Sequence, residues 1–270
     1  MVTAASTRER TLSRAFSALR ARQWAHFAVL PLAAVDARTS WGRAGLGVAV
    51  ACACLAYAYG LNAIADRATD APEKNPLAGL DQPPDAVRLL LLGAASIALG
   101  LAAPLGVAAV TLAVASLVAG TIYSVGPRWK ALPVLGVVAN TAIFAPLLGL
   151  LGRGARLGPL AAVFVGLLVQ SQLLHELADT EEDARGGVRT TAQALGARAT
   201  RRVVVVSATL SAVVAVALSR SLPVAVATVA ALVVGTVVAL AVRAPAEARA
   251  WHRRASVVVG ALVFAAGMLP

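Results

Sequence analysis

Residues 44–70 read AGLGVAVACACLAYAYGLNAIADRATD, in which 22 uncharged residues are followed at once by a charged segment. A helix of about 20 apolar residues spans the hydrocarbon core of a bilayer, because each residue advances the helix by ~1.5 Å. The uncharged run is therefore predicted to cross a membrane as one α-helix. Asp66 and Asp70 then lie just beyond the apolar part of that helix.

Apolar runs of this kind recur along the whole chain of 270 residues. Apolar residues make up 59% of the sequence and charged residues 14%, whereas soluble domains carry about 25% charged residues. A bilayer can accommodate that many apolar runs, but one soluble core cannot. We therefore predict an all-α integral membrane protein with nine transmembrane helices, in which residues 23–270 form a single transmembrane domain behind a cytoplasmic segment at residues 1–22. The predicted spans are about Trp24–Ala37, Ala44–Ala65, Val87–Ala103, Val107–Val125, Leu132–Leu151, Pro159–Leu177, Val203–Leu218, Leu222–Val242 and Ala255–Leu269.

The basic residues orient the chain. Nine spans place the even-numbered loops on the side of the N-terminus, and 19 of the 24 lysines and arginines fall on that side. Because Lys and Arg accumulate on the cytoplasmic side, we expect a multi-pass protein of the cell membrane with a cytoplasmic N-terminus and its C-terminus opposite. This distribution also accounts for the net charge of +11 without a nucleic-acid partner. A cleaved signal peptide within residues 1–37 is the alternative to a retained first helix.

Ten of the 13 acidic residues lie in two segments, after the second and the sixth span. In the first segment, Asn62, Asp66 and Asp70 are spaced at i, i+4 and i+8. If the helix continues beyond the bilayer, this spacing places all three side chains on one face. Carboxylate and amide oxygens are ligands that suit Mg²⁺, which binds one or two carboxylates together with water and substrate phosphates.

The second acidic segment repeats the same spacing. His175, Asp179 and Asp183 are again four residues apart, and the glycines at 186–187 are expected to end the helix. Two acidic segments that face each other could hold two Mg²⁺ ions around a diphosphate. The alternative is that these acids only solvate the ends of two helices. The repeated spacing at two separate spans favours a functional site, since acids near the membrane are costly.

These segments resemble the two aspartate-rich motifs of the UbiA superfamily of intramembrane prenyltransferases. The first is in register with the family's N-D-x-x-D-x-x-x-D motif, although Ala63 replaces its first aspartate. The second matches a D-x-x-x-D-x-x-x-D motif at Asp179 and Asp183, with His175 where the family commonly has an acid or an amide. It runs on into Gly187-Val-Arg-Thr190, similar to the family's G-x-[KR]-T.

Two shorter motifs extend the resemblance over the whole chain. Residues 123–130, YSVGPRWK, resemble the family's Y-S-x-x-P-x-R-x-K loop after the fourth helix and are one residue shorter. Residues 20–24, RARQW, resemble the family's R-P-x-Q-W at the start of the first helix. The Arg-Pro that follows the first motif in the family is represented here by Lys74-Asn-Pro76, so Lys74 is expected to supply the cation.

The resemblance implies an Mg²⁺-dependent transfer of a prenyl group from a prenyl diphosphate to a small, aromatic acceptor, with the prenyl tail among membrane lipids and no required protein partner. It implies that the catalytic and metal-binding residues are Asp66, Asp70, Asp179 and Asp183, with Asn62 as a further metal and substrate ligand. The remaining substrate-binding candidates are Arg22, Arg67, Lys74, Tyr123, Lys130, His175 and Arg189.

Three other functions use a similar set of residues. A UbiA-type terpene cyclase needs the same metal sites but no acceptor, and another branch of the superfamily transfers a polyprenyl phosphate to a sugar phosphate. A cation-coupled transporter belongs to a different class. Transporters tend to place acidic sites near the bilayer midplane, whereas the centres of the predicted spans carry no charge.

Overall fold

The computed structural model describes residues 12–152, 157–219 and 222–268, and it contains helices and loops but no β-strand within these ranges. Eight long helices carry the architecture, and short helical turns connect them. The long helices are α1 (Trp41–Ala65), α2 (Asp85–Ala102), α3 (Val107–Ser124), α4 (Leu135–Leu148), α5 (Leu157–Ala178), α6 (Ala197–Leu218), α7 (Leu222–Ala241) and α8 (Pro245–Met268).

Five helices within the described ranges are long and apolar enough to cross a membrane, namely α1, α2, α3, α5 and α6. Helix α4 is apolar but only 14 residues long. The prediction of an all-helical protein with apolar, membrane-spanning helices is thus confirmed. The count of nine transmembrane helices stays a prediction.

The first predicted span differs from the structure. The region around residues 24–37 does not form one helix: three short helical pieces, Ala21–Trp24, Ala25–Phe27 and Leu30–Ala34, take its place. The last two are 3₁₀ helices, and Pro31 lies in the first turn of the last one. Proline lacks the N–H that a continuing α-helix would use and clashes with the preceding turn, so it interrupts the helix here.

Helices α1 and α5 form the centre of the bundle. Helix α1 packs against α2 and α3, and α5 packs against α4, α6 and α8. Both central helices bury side chains along most of their length, whereas α2 and α6 bury few of theirs. Their exposed side chains are apolar, for example Leu92 and Leu210, each at least 60% exposed. An apolar outer surface of this extent is suited to contact with lipid.

Small residues let the central helices approach closely. A Cβ atom added to Gly120 in α3 would lie 2.9 Å from Cβ and 3.3 Å from Cα of Ala58 in α1. Because Ala58 presents backbone at this contact, the helices themselves would have to move to accept a larger residue. Close helix contacts through small residues are a main source of packing energy in membrane bundles.

The Gly120→Val variant should therefore unfold at a lower temperature in detergent, with a destabilisation of about 1–3 kcal/mol from overpacking. Gly100→Val is the matched control, since Gly100 is an exposed residue of α2 and a Cβ there meets nothing within 4 Å. Thermal unfolding of both purified variants measures the difference. Equal midpoints for the two variants would show that the α1–α3 contact is not tight.

Candidate active site

Both acidic segments begin where a central helix ends. Helix α1 ends at Ala65, and its C-cap, Asp66, has φ −98° and ψ 6°. One isolated helical turn follows, in which the Asp70 N–H donates to the Asp66 carbonyl at 2.8 Å, and this turn keeps Asp70 on the same side as Asp66. The helix therefore does not continue straight through the first motif, as its spacing suggested, yet the four-residue spacing survives as one isolated turn.

The second segment has the same construction. Helix α5 ends at Ala178, and a short helix, Thr180–Arg185, follows it. The Asp183 N–H donates to the Asp179 carbonyl at 2.9 Å. Gly186 is the C-cap of the short helix and Gly187 has a φ of +69°, which a glycine adopts without steric cost. The prediction that the glycine pair ends the helix is confirmed.

A polar cavity of about 530 Å³ lies between the two segments. Nine of the twelve side chains predicted from the sequence line it, from both halves of the bundle. They are Asn62, Asp66, Asp70, Lys74, Tyr123, Lys130, His175, Asp179 and Asp183.

The other three predicted residues lie elsewhere. Arg22 and Arg189 are exposed to the surroundings. Arg67 donates to the carbonyl oxygens of Ile64 at 2.9 Å and Asp81 at 3.3 Å. Its side chain thus links the end of α1 to the loop that follows it. A role for these three arginines in substrate binding stays a prediction, and none of them lines the cavity.

In the first half of the cavity each carboxylate is paired with a cation. The Lys130 ammonium donates to Asn62 Oδ1 at 2.9 Å and to Asp66 Oδ1. Arg128 lies 3.3 Å from the same Asp66 oxygen. Arg20 Nη2 donates to Asp70 Oδ2 at 2.6 Å. Burial lowers the pKa of Lys130, and the attraction of Asp66 opposes that effect.

The second half of the cavity is more crowded with acids. His175 Nδ1 lies 2.9 Å from Asp179 Oδ2, and Lys74 bonds to Glu182. Burial acts to raise the pKa of Asp179, but His175, Arg249 and Lys74 outweigh burial, and the pKa is lowered. By contrast, burial raises the pKa of Asp183 to about 6, with further contributions from the negative charges of Asp179, Glu176 and Glu182.

These residues suit a cation that binds together with a phosphate-bearing substrate. Within the described ranges, no three His, Cys, Asp or Glu side chains converge on one point as a complete metal site. Mg²⁺ does not require such a cage, because one or two carboxylates and the substrate's phosphate oxygens satisfy it. Burial is the main cause of the raised pKa of Asp183, and the negative charges of Asp179, Glu176 and Glu182 add to it. A divalent cation would offset that negative charge.

Four cations that line the cavity were not among the predicted site residues. Arg20 and Arg128 belong to the two shorter motifs, but their charge was interpreted only as a signal of membrane orientation. Arg249 and Arg253 come from the first half of α8, where they face the cavity one helical turn apart. Their spacing of four residues just before an apolar run was the only signal in the sequence, and it is a weak one.

Two further cavities adjoin the polar one. An apolar groove of about 270 Å³ runs between the broken N-terminal segment, α5 and α8, and Val29, Leu167 and Phe264 are among its lining residues. A smaller chamber of about 140 Å³ lies beside Tyr59 and Phe144. Arg253 lines all three cavities, so they meet at its side chain.

Comparison with solved structures shows the same fold. A UbiA homolog from Archaeoglobus fulgidus bound to GPP and Mg²⁺ has a TM-score of 0.76 at 18% identity, covering 94% of this chain and 99% of that one. An apo UbiA homolog from Aeropyrum pernix K1 has a TM-score of 0.68 at 16% identity, covering 90% and 96%. A digeranylgeranylglyceryl phosphate synthase has a TM-score of 0.69 at 12% identity, covering 96% and 99%.

None of the curated proteins matches the sequence. The sequence profile of the UbiA prenyltransferase family, however, matches residues 24–267, which is nearly the whole chain. This chain is therefore a member of the UbiA prenyltransferase family.

Proposed function

We propose that this protein moves a prenyl or polyprenyl group from a prenyl diphosphate to a small aromatic acceptor within the cell membrane, in an Mg²⁺-dependent reaction. The observation that carries the proposal is the convergence of four aspartates and several cations on one cavity that opens into apolar space. The A. fulgidus homolog with this fold binds GPP and Mg²⁺. We place the cavity and the N-terminus on the cytoplasmic side, as the distribution of basic residues indicates.

The diphosphate would lie between the two acidic segments. Lys130, Lys74 and Arg249 are near enough to the aspartates to reach the same phosphate oxygens, and charge-assisted hydrogen bonds of this kind are the strong ones. Asp66 with Asn62, and Asp179 with Asp183, would hold Mg²⁺ in the two halves of the cavity. Bound there, Mg²⁺ would neutralise the diphosphate oxygens and so ease the departure of the diphosphate.

The prenyl tail would occupy the apolar groove. Its lining is almost entirely hydrocarbon and aromatic, and the groove reaches the outer surface at Val29 and Val257, each about half exposed. A volume of about 270 Å³ holds a short prenyl chain, and a longer one would continue among the lipids. These apolar walls also keep water from the allylic cation that is left when the C–O bond to the diphosphate breaks.

The smaller chamber is suited to the acceptor. Its volume of about 140 Å³ is below the ~300–1,000 Å³ of pockets for drug-sized ligands, so it holds a single ring and not a prenyl tail. Tyr59 and Phe144 supply aromatic walls, and Asn140 supplies a polar group. Arg253 at its mouth has no ion pair with any side chain that the structure describes. This guanidinium is therefore available for an anionic group on the acceptor.

The transfer balances with these parts alone. The C–O bond of the donor breaks, the diphosphate keeps the electron pair, and a ring carbon of the acceptor forms the new C–C bond. The ring then loses a proton, which an oxygen of the released diphosphate accepts, and regains its aromaticity. Diphosphate release that requires an acceptor distinguishes this reaction from cyclisation of the donor.

Asp66→Asn and Asp179→Asn should each lower Mg²⁺-dependent diphosphate release by about 10²-fold or more, since each removes a charge from one half of the cavity. Release would be followed with purified protein, geranyl diphosphate and a mixture of aromatic acceptors. Asp85→Asn is the matched control, because it makes the same chemical change at an exposed residue outside the cavity, where Asp85 pairs with Arg88. If the wild-type protein releases no diphosphate from donors of any length, the proposed function is wrong.

Arg253→Gln should raise the KM for an aromatic acid by about tenfold or more, because a hydrogen bond to a charged group is lost. The KM for a hydroxybenzoate would be compared with that for the corresponding hydroxybenzamide, which lacks the negative charge and should be little affected. Arg254→Gln is the control, since the Arg254 guanidinium lies over the exposed Trp251 ring, 5.6 Å from its centroid. A raised KM for the donor instead would place Arg253 on the diphosphate.

A further inference from the structure

Lys130 depends on a short and unusual segment for its position. It lies in a three-residue 3₁₀ helix, Trp129–Ala131, and its side chain is only 11% exposed between Asn62 and Asp66. The segment rests directly on the first turn of α4. A Cβ atom added to Gly136 would lie 3.2 Å from the Lys130 carbonyl oxygen and 3.4 Å from the Lys130 Cα. The start of α4 therefore sets where the Lys130 backbone can be.

The link between Lys130 and α4 contains a strained residue. Val134 has φ 65° and ψ −48°, and the Leu135 N–H donates to the Pro133 carbonyl at 2.7 Å across it. This is a γ-turn with positive φ, which is rare and strained. Positive φ is a marked outlier for a β-branched residue such as valine. The Val134 side chain is 59% exposed, so its own packing does not enforce the conformation.

A hydroxyl from the other half of the bundle holds this turn. The Val134 N–H donates to Thr191 Oγ1 at 2.9 Å, and Thr191 is buried. Thr191 is itself fixed through its neighbour, because the Ala192 N–H donates to the buried Glu176 carboxylate at 3.1 Å. Glu176 also accepts from Gln172 within α5. A continuous series of hydrogen bonds thus runs from α5 to the turn beside Lys130.

We propose that Thr191 is a positioning residue for Lys130. Its hydroxyl holds the strained turn at Val134, and the turn fixes the Lys130 segment so that the ammonium stays between Asn62 and Asp66. Thr191 does not line the cavity, so it acts only through the backbone of the neighbouring segment. The inference rests on the proposed function in one respect, namely that Lys130 contacts the diphosphate of the donor.

Through this arrangement, the chain that follows the second acidic segment holds the position of Lys130, which bonds to the first segment. Thr191 follows the segment that carries Asp179 and Asp183, whereas Lys130 belongs with Asp66. The two aspartate-rich halves would then be coupled through Thr191, because a shift of residues 186–192 would release the turn at Val134. Strain of this kind persists only where surrounding contacts hold it, and it is often found at functional sites.

The test combines hydrogen exchange with turnover in Thr191→Val, which keeps the branched shape and removes the acceptor. We expect exchange at residues 129–136 to become about 3–10-fold faster, and kcat/KM for geranyl diphosphate to fall by a similar factor, as the loss of one hydrogen bond implies. Thr191→Ser, which keeps the hydroxyl, should restore both. Thr209→Val is the control, since Thr209 is exposed on α6 and its hydroxyl bonds within its own helix.

Two double variants separate positioning from a general loss of structure. In Lys130→Met protein, Thr191→Val should lower kcat/KM no further, because Thr191 acts through Lys130. In Val134→Gly protein, Thr191→Val should have a smaller effect on exchange, because glycine adopts positive φ without strain.

The outcomes distinguish this inference from the proposed function. Unchanged exchange at residues 129–136 in Thr191→Val would overturn the inference, and so would independent losses of activity in the Lys130→Met double variant. Faster exchange with wild-type kcat/KM would overturn it as well. Absence of diphosphate release by the wild-type protein would refute the proposed function, while the exchange data would still decide whether Thr191 holds the turn.

Discussion

A charge is costly in a medium of low dielectric constant, and this cost organises the whole molecule. The acidic side chains of the two motifs lie where α1 and α5 end, and the central part of both helices carries none. At the cavity, Asp66, Asp70 and Asp179 each lie within 4 Å of at least one lysine or arginine. The positive charge is supplied from four separate parts of the chain. The site exists because α1, α3, α5 and α8 bring these parts to one end of the bundle.

This constraint also explains how much of the protein could be predicted from its sequence. Apolar runs of spanning length predict helices directly, because the bilayer allows few alternatives. The four-residue spacing predicted that Asp66 and Asp70 face the same space, and they do so even though α1 ends at Ala65. The spacing remained correct because a single α-turn preserves the separation that a continuous helix would have given.

Features that depend on packing between distant segments could not be predicted in this way. Pro31 is visible in the sequence, but a proline is also tolerated in the first turn of a helix, so it does not by itself predict that the first span is broken. Arg249 and Arg253 resembled ordinary topology signals, since nothing in a single sequence shows that α8 turns one face toward α5. Glu176 was not among the candidate site residues, yet it is buried and accepts a hydrogen bond from the Ala192 N–H. Local patterns located the site, and long-range contacts determined which side chains complete it.

The apolar groove has a consequence for how the protein meets its lipid-like substrate. One wall consists of the 3₁₀ helix Leu30–Ala34 and the groove reaches the outer surface at Val29 and Val257. A molecule with a prenyl tail would therefore arrive sideways from the bilayer and not from water. Its effective concentration is then its mole fraction in the surrounding lipid or detergent. Adding detergent at a constant amount of substrate would lower that mole fraction. A Michaelis constant given per litre of solution would therefore change with the detergent concentration even if the protein did not.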